Sequence, residues 1–270
     1  ADTGLSGWLT WTCNLPIKRN FIQRGNKMKL TQRFVAGIIL VSGVSATSLA
    51  MTTYAETNSV TTAGDVSFKV DPTPVAPVDP TDPDTPVAPT NTITPTPGPL
   101  SIDYASTLKF GEQKISAKDQ IYYATFDTVK VAGDKTVTKP NWVQVTDKRG
   151  SNAGWKLQIK QNAQFSTSQN GVSKELKGAQ ITIQNEELRT TSDNQAPAPE
   201  SNPNIKLTPG VAQDVMTAGE EKGMGTWVSS FGNAETGDKS ISLSVPGVSE
   251  KIKDAKYTTE LTWLLSDTPV

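Results

Sequence analysis

The 270-residue chain has no histidine and a single cysteine, Cys13. Without an imidazole there is no serine–histidine pair, no histidine general base and no supply of the commonest zinc ligand. One thiol cannot build a disulfide framework or a cysteine-ligated metal site. A chain exported without disulfides must be held by its core. Long apolar runs are scarce as well. The main one, residues 34–44 and on to 50, is interrupted by Gly37, Ser42 and Gly43. It falls short of the roughly 20 residues of a membrane-spanning helix. An excess of positive charge is also missing. Residues 1–55 hold Lys18, Arg19, Arg24, Lys27, Lys29 and Arg33 against Asp2 alone, which leaves 20 basic and 26 acidic residues beyond them, a net −6. That sign disfavours a nucleic acid partner.

The chain reads as five stretches. Residues 28–55 have the layout of a secretory signal peptide: Met28, then Lys29 and Arg33, the apolar run, and Thr53-Tyr54-Ala55 with cleavage expected after Ala55. Residues 1–27, with Trp8, Trp11 and Cys13, fit neither a signal nor a domain and read as an upstream extension or artefact. Residues 56–71 begin polar and frayed, then alternate, so that Val66, Phe68 and Val70 share one face of an expected first strand over 64–70. Residues 72–100 carry proline at every third position from Pro74 to Pro89, interleaved with Asp79, Asp82 and Asp84. Three residues per turn is the polyproline II repeat, so an extended, acidic, solvated linker is expected.

Residues 101–270 read as strand after strand. Expected strands are 102–110, 121–131, 142–147, 154–161, 178–184, 204–208, 225–231, 240–246 and 256–265, with a helix at 210–222. Turn formers such as Asn170-Gly171 and Gly237-Asp238 separate them. The expected fold is all-β: a β-sandwich of one domain with a Pro-rich insertion after its first strand.

Two Trp-x-Leu triplets stand out, Trp155-Lys156-Leu157 and Trp263-Leu264-Leu265. Each lies in a run of period two, so the tryptophan and leucine share a strand face and the middle residue points away. Around them stand Pro99-Leu100-Ser101-Ile102-Asp103-Tyr104, Val143-Gln144-Val145-Thr146-Asp147-Lys148-Arg149-Gly150 ahead of Gly154-Trp155, Leu176-Lys177-Gly178-Ala179, Gly225-Thr226-Trp227 and Tyr257-Thr258-Thr259-Glu260-Leu261-Thr262 ahead of Trp263. Together these resemble the WxL-domain surface proteins of low-GC Gram-positive bacteria. The resemblance implies a secreted, non-catalytic protein attached non-covalently to the cell wall. It implies peptidoglycan or another wall glycan as ligand, or a WxL-interacting protein and sortase-anchored surface proteins as partners. It implies no cofactor. A subunit of a surface complex and a glycan-binding adhesin or lectin are the alternative readings.

Each candidate residue has two readings. Trp155, Leu157, Trp263 and Leu265 lie on apolar strand faces and are either core or a platform for sugar rings. Trp142 opposes Val143 and Val145, so alternation makes it the expected exposed tryptophan and a contact candidate. Trp227 is core or rim. Lys148, Arg149 and Lys156, with Lys160, form the nearest basic patch, either a contact for wall polymers or a solvated turn and strand face. Catalysis finds little support. In Glu186-Glu187 and Glu220-Glu221, adjacent strand residues point to opposite faces, so neither pair presents two carboxylates to one substrate.

Overall fold

The computed structural model describes residues 58–267, so the expected signal peptide and upstream extension lie outside the described residues. Residues from Gly64 onward form one compact unit. Its strands run, in chain order, β1 (Val78–Asp79), β2 (Asp82–Pro86), β3 (Ala88–Pro89), β4 (Leu100–Ala105), β5 (Gln120–Tyr123), β6 (Asp127–Val131) and β7 (Lys135–Lys139). Then follow β8 (Trp142–Asp147), β9 (Trp155–Gln161), β10 (Ser166–Gln169), β11 (Val172–Glu175), β12 (Gln180–Gln184) and β13 (Glu186–Thr190). The last are β14 (Glu200–Ser201), β15 (Asn204–Lys206), β16 (Ala212–Ala218), β17 (Gly225–Phe231), β18 (Ile241–Val245) and β19 (Leu261–Ser266).

Three antiparallel four-stranded sheets carry the core: β13-β17-β8-β4, β14-β16-β9-β19 and β15-β12-β18-β5. We name them after β8, β9 and β12. A three-stranded sheet, β3-β6-β7, and two ribbons, β1-β2 and β10-β11, complete the set. The three large sheets turn one apolar row each to a shared core. Val143, Val145, Trp227 and Phe231 come from the β8 sheet; Trp155, Leu157, Ile159 and Met216 from the β9 sheet; Ile181, Ile183, Ile241 and Leu243 from the β12 sheet. The all-β expectation holds. The two-layer sandwich does not describe this arrangement, because three small sheets close the core. Short strands and bulges, between Ile102 and Tyr104 and between Asp214 and Met216, break up what longer strands would make into two broad layers.

Three local expectations differ from the structure. Residues 64–70 form no strand, and Val66, Phe68 and Val70 are exposed. Within 210–222, where a helix is expected, Ala212–Ala218 form β16, since pairing with β9 on one side and β14 on the other satisfies their backbone. The Pro-rich stretch is not a solvated polyproline rod over 78–89. It folds into the β1-β2 hairpin, where Asp79 accepts from the Thr81 amide (2.9 Å) and hydroxyl (2.7 Å) at the turn. Proline tolerates this because the hairpin needs few ladder bonds. Valine decides the rest: Val78 and Val87 are buried with Tyr104, Val129, Trp142 and Val228 in a second core on the far face of the β8 sheet. Gln144 ties this strap down. Its Oε1 accepts from the Val78 amide (2.9 Å) and its Nε2 donates to the Ala76 carbonyl (3.1 Å).

Candidate functional site

The two triplets meet. β9 and β19 pair antiparallel with Leu157 opposite Leu265 and Trp263 opposite Ile159. Residues over a hundred positions apart therefore form one patch of the β9 sheet, with tryptophans and leucines turned to the core. Trp155 is fully buried, and its indole N–H donates to the Gly223 carbonyl at 3.0 Å. Gly223 has φ +78°, and a side chain there would place its first carbon 2.7 Å from that indole nitrogen. Glycine is thus needed both for the backbone and for the space. Leu157 is fully buried beside it. Trp263 and Leu265 are half-buried against the core, and Trp263 stacks on Phe231 with ring centroids 6.4 Å apart and planes at 13°.

The remaining tryptophans among the described residues, Trp142 and Trp227, also face inward. Trp142 has no exposed surface and lies on Tyr104, ring centroids 4.3 Å apart. Alternation places it correctly opposite Val143 and Val145. The expectation of exposure fails because the strap covers that second face. Trp227 is core, 4% exposed, with its indole N–H donating to the Met224 carbonyl at 3.0 Å.

Three of the four cations expected to form a basic patch, Lys148, Arg149 and Lys156, are tied up locally. Arg149 grips Asp147 with two N–H groups, at 3.0 and 2.8 Å, and reaches the Gly154 carbonyl at 2.6 Å. The Asp147 bond raises its already high pKa. Lys148 holds Asp71 (2.8 Å) and the Thr73 carbonyl (3.0 Å). That hydrogen bond, with those from Thr73, holds the Asp71 carboxyl well below the usual carboxylate range. Lys156 lies 3.5 Å from Asp214 on the outer face of the β9 sheet.

That outer face is polar. Gln158 donates to Asp214 at 2.6 Å, and Thr262 donates to Asn162 at 3.0 Å. Amid these groups Leu264, opposite Gln158, is 40% exposed. It is the middle residue of the second triplet, as Lys156 is of the first. Sequence reasoning overlooked Leu264, although an apolar residue on the outward row was the available signal.

Buried carboxyls serve structure. Burial pushes Asp103 upward, against bonds from Thr146 (2.6 Å), Ser101 (2.7 Å) and Gln144 (3.0 Å). Burial likewise raises Glu186. Among the described residues no cluster of three acidic side chains lies close enough to hold a metal ion. Two open hollows occur, of about 340 Å³ beside Thr81, Arg189 and Asn233, and about 300 Å³ beside Glu200, Asn202 and Asp214. Neither is lined by an aromatic side chain.

A family model described as the WxL domain, surface cell wall-binding, matches residues 55–269. No curated protein matches, and no solved structure does.

Proposed function

The chain belongs to the WxL family of surface, cell-wall-binding domains, and we propose that it is a non-catalytic protein held non-covalently at the Gram-positive cell wall through the outer face of its β9 sheet. The observation that carries this reading is the pairing of the two triplets. Packing Trp155, Leu157, Trp263 and Leu265 inward fixes one sheet and turns Lys156, Gln158, Lys160, Thr262 and Leu264 outward on a continuous surface. The triplets build the surface; their middle residues present it.

A wall-associated protein suits this face better than a bare glycan strand. Sugar rings stack on exposed aromatic faces, and Trp142, Trp155 and Trp227 are buried. A flat polar face with a central leucine suits a protein partner, which excludes water around an apolar anchor ringed by polar contacts. Secretion through residues 28–55 is part of the same reading. No helix among the described residues is long and apolar enough to cross a membrane.

Co-sedimentation with purified sacculi tests this, comparing sacculi that retain their surface proteins with sacculi stripped of them. The expected result is sedimentation with the first only, weakened by Leu264→Lys at unchanged melting temperature. Equal sedimentation with stripped sacculi would replace the partner with peptidoglycan or another wall glycan.

A further inference from the structure

Two unsatisfied β features occur in this one chain. The first is residues 65–70, where Val66, Phe68 and Val70 alternate with Asp65, Ser67 and Lys69. The pattern is that of a strand with one buried face, yet no strand forms, and Phe68 is 90% exposed. The second is the outer edge, over residues 261–265, of β19, the terminal strand of its sheet among the described residues. The Asn162 amide donates to the Glu260 carbonyl at 2.9 Å, so alternation turns the backbone groups of Thr262 and Leu264 toward β9. Those of Leu261, Trp263 and Leu265 turn toward the open edge. The side chains of these three residues are half-buried because the sheet stops there.

Other edges of the described sheets are charged, covered or shorter; the β5 edge is uncharged, with Ile121 and Tyr123 exposed, but is only four residues long. β7 carries Lys135 and Lys139, β13 carries Glu186, Glu187 and Arg189, and β14 and β15 are two and three residues long. The β4 edge is covered by Thr96, whose amide donates to the Ile102 carbonyl at 3.1 Å. β19 is six residues, Leu-Thr-Trp-Leu-Leu-Ser, without a charge. A long, uncharged, apolar edge is a template for another strand.

We propose that residues 65–70 of one copy add to the open edge of β19 in a second copy. Val66, Phe68 and Val70 then extend the apolar row of Leu261, Trp263 and Leu265. The outer face of the β9 sheet stays free, so the exchange is separate from wall attachment. Direction favours the second copy over the chain's own edge. Lys148 anchors Asp71, while the neighbouring Arg149 reaches the Asp267 carbonyl at 3.3 Å. The segment therefore enters beside the C-terminal end of its own β19 and can meet it only in parallel. A second copy is free to pair antiparallel, as all strands of this sheet do. Because the root of the segment and the acceptor edge share a corner, two copies can exchange reciprocally and close as a dimer.

The test is the mass of the full chain by light scattering over a concentration series, with amide hydrogen exchange read by mass spectrometry. Wild type is expected to form a reversible dimer in which residues 64–70 and 261–266 gain protection together. Phe68→Pro removes an amide donor from an exposed segment, and Phe68→Asp charges its apolar row. Both are expected to be monomers that melt at the temperature of dilute, monomeric wild type. A monomeric wild type would overturn the proposal. So would a dimer indifferent to both substitutions, protection gained at another edge, or a Phe68→Pro monomer that melts below dilute, monomeric wild type.

Discussion

Trp155 and Trp263 head the same three-residue motif on neighbouring strands, yet one is sealed and the other half open. β9 has a strand on either side and two further sheets above it. Among the described residues β19 has a neighbouring strand on one side only. The side chains and their spacing are alike, so the difference comes from the sheet. A central strand buries its motif as core, and an edge strand exposes its flank.

The largest expected effects fall on the sealed positions. Trp155→Ala should cost about 3–5 kcal/mol in chemical denaturation, and it orphans the Gly223 carbonyl. Trp142→Ala should cost as much, about 3–5 kcal/mol; a near-neutral result would show that the strap does not cover it in solution. Gln144→Ala cuts the strap's two ties and should cost about 1–3 kcal/mol, with faster proteolysis across residues 71–89. Trp263→Ala should cost only about 1–2 kcal/mol. A loss equal to that of Trp155→Ala would break the contrast between centre and edge.

Acid should separate the strap from the sheet beneath it. Asp103 has a raised pKa, so burying its charge costs stability above that value, and the cost fades as it takes up a proton. Burial also acts upward on Asp79, but bonds from Lys139 and Thr81 outweigh it and lower its pKa. Its contribution is present above the ordinary value of 3.8 and is lost as pH falls through the lowered one. Strap protection should therefore survive mild acid and disappear below it, with Asp79→Asn removing that acid dependence and Asp103→Asn leaving it. The smallest effect belongs to Leu264→Lys, within about 0.5 kcal/mol, where a changed wall association at unchanged stability is the informative outcome.

Period-two alternation made much of this fold legible. β8, β9, β12, β17 and β18 lie within expected strands, β19 runs one residue past its expected end, and the inward rows of the triplets follow from the pattern alone. Alternation names which residues share a face; it does not say whether a second layer covers it. That is why Trp142 was placed on the right face and given the wrong environment. The Pro-rich stretch misleads for a related reason. Proline spacing reports backbone preference, whereas the burial of Val78 and Val87 depends on a surface that only the folded β8 sheet supplies. The pairing of β9 with β19 is a tertiary event between segments a hundred residues apart, and no local pattern encodes it. Cation partners such as Asp71 for Lys148 are equally non-local.

Adjacent residues Lys148 and Arg149 hold Asp71 and the Asp267 carbonyl, the two ends of the folded unit, at one corner. Topologically the chain from 71 to 267 is almost a ring. A short linker could join those positions, and new termini could be opened at the Asn170-Gly171 hairpin. In such a permuted chain the second triplet would precede the first in synthesis, and the same sheet would still assemble.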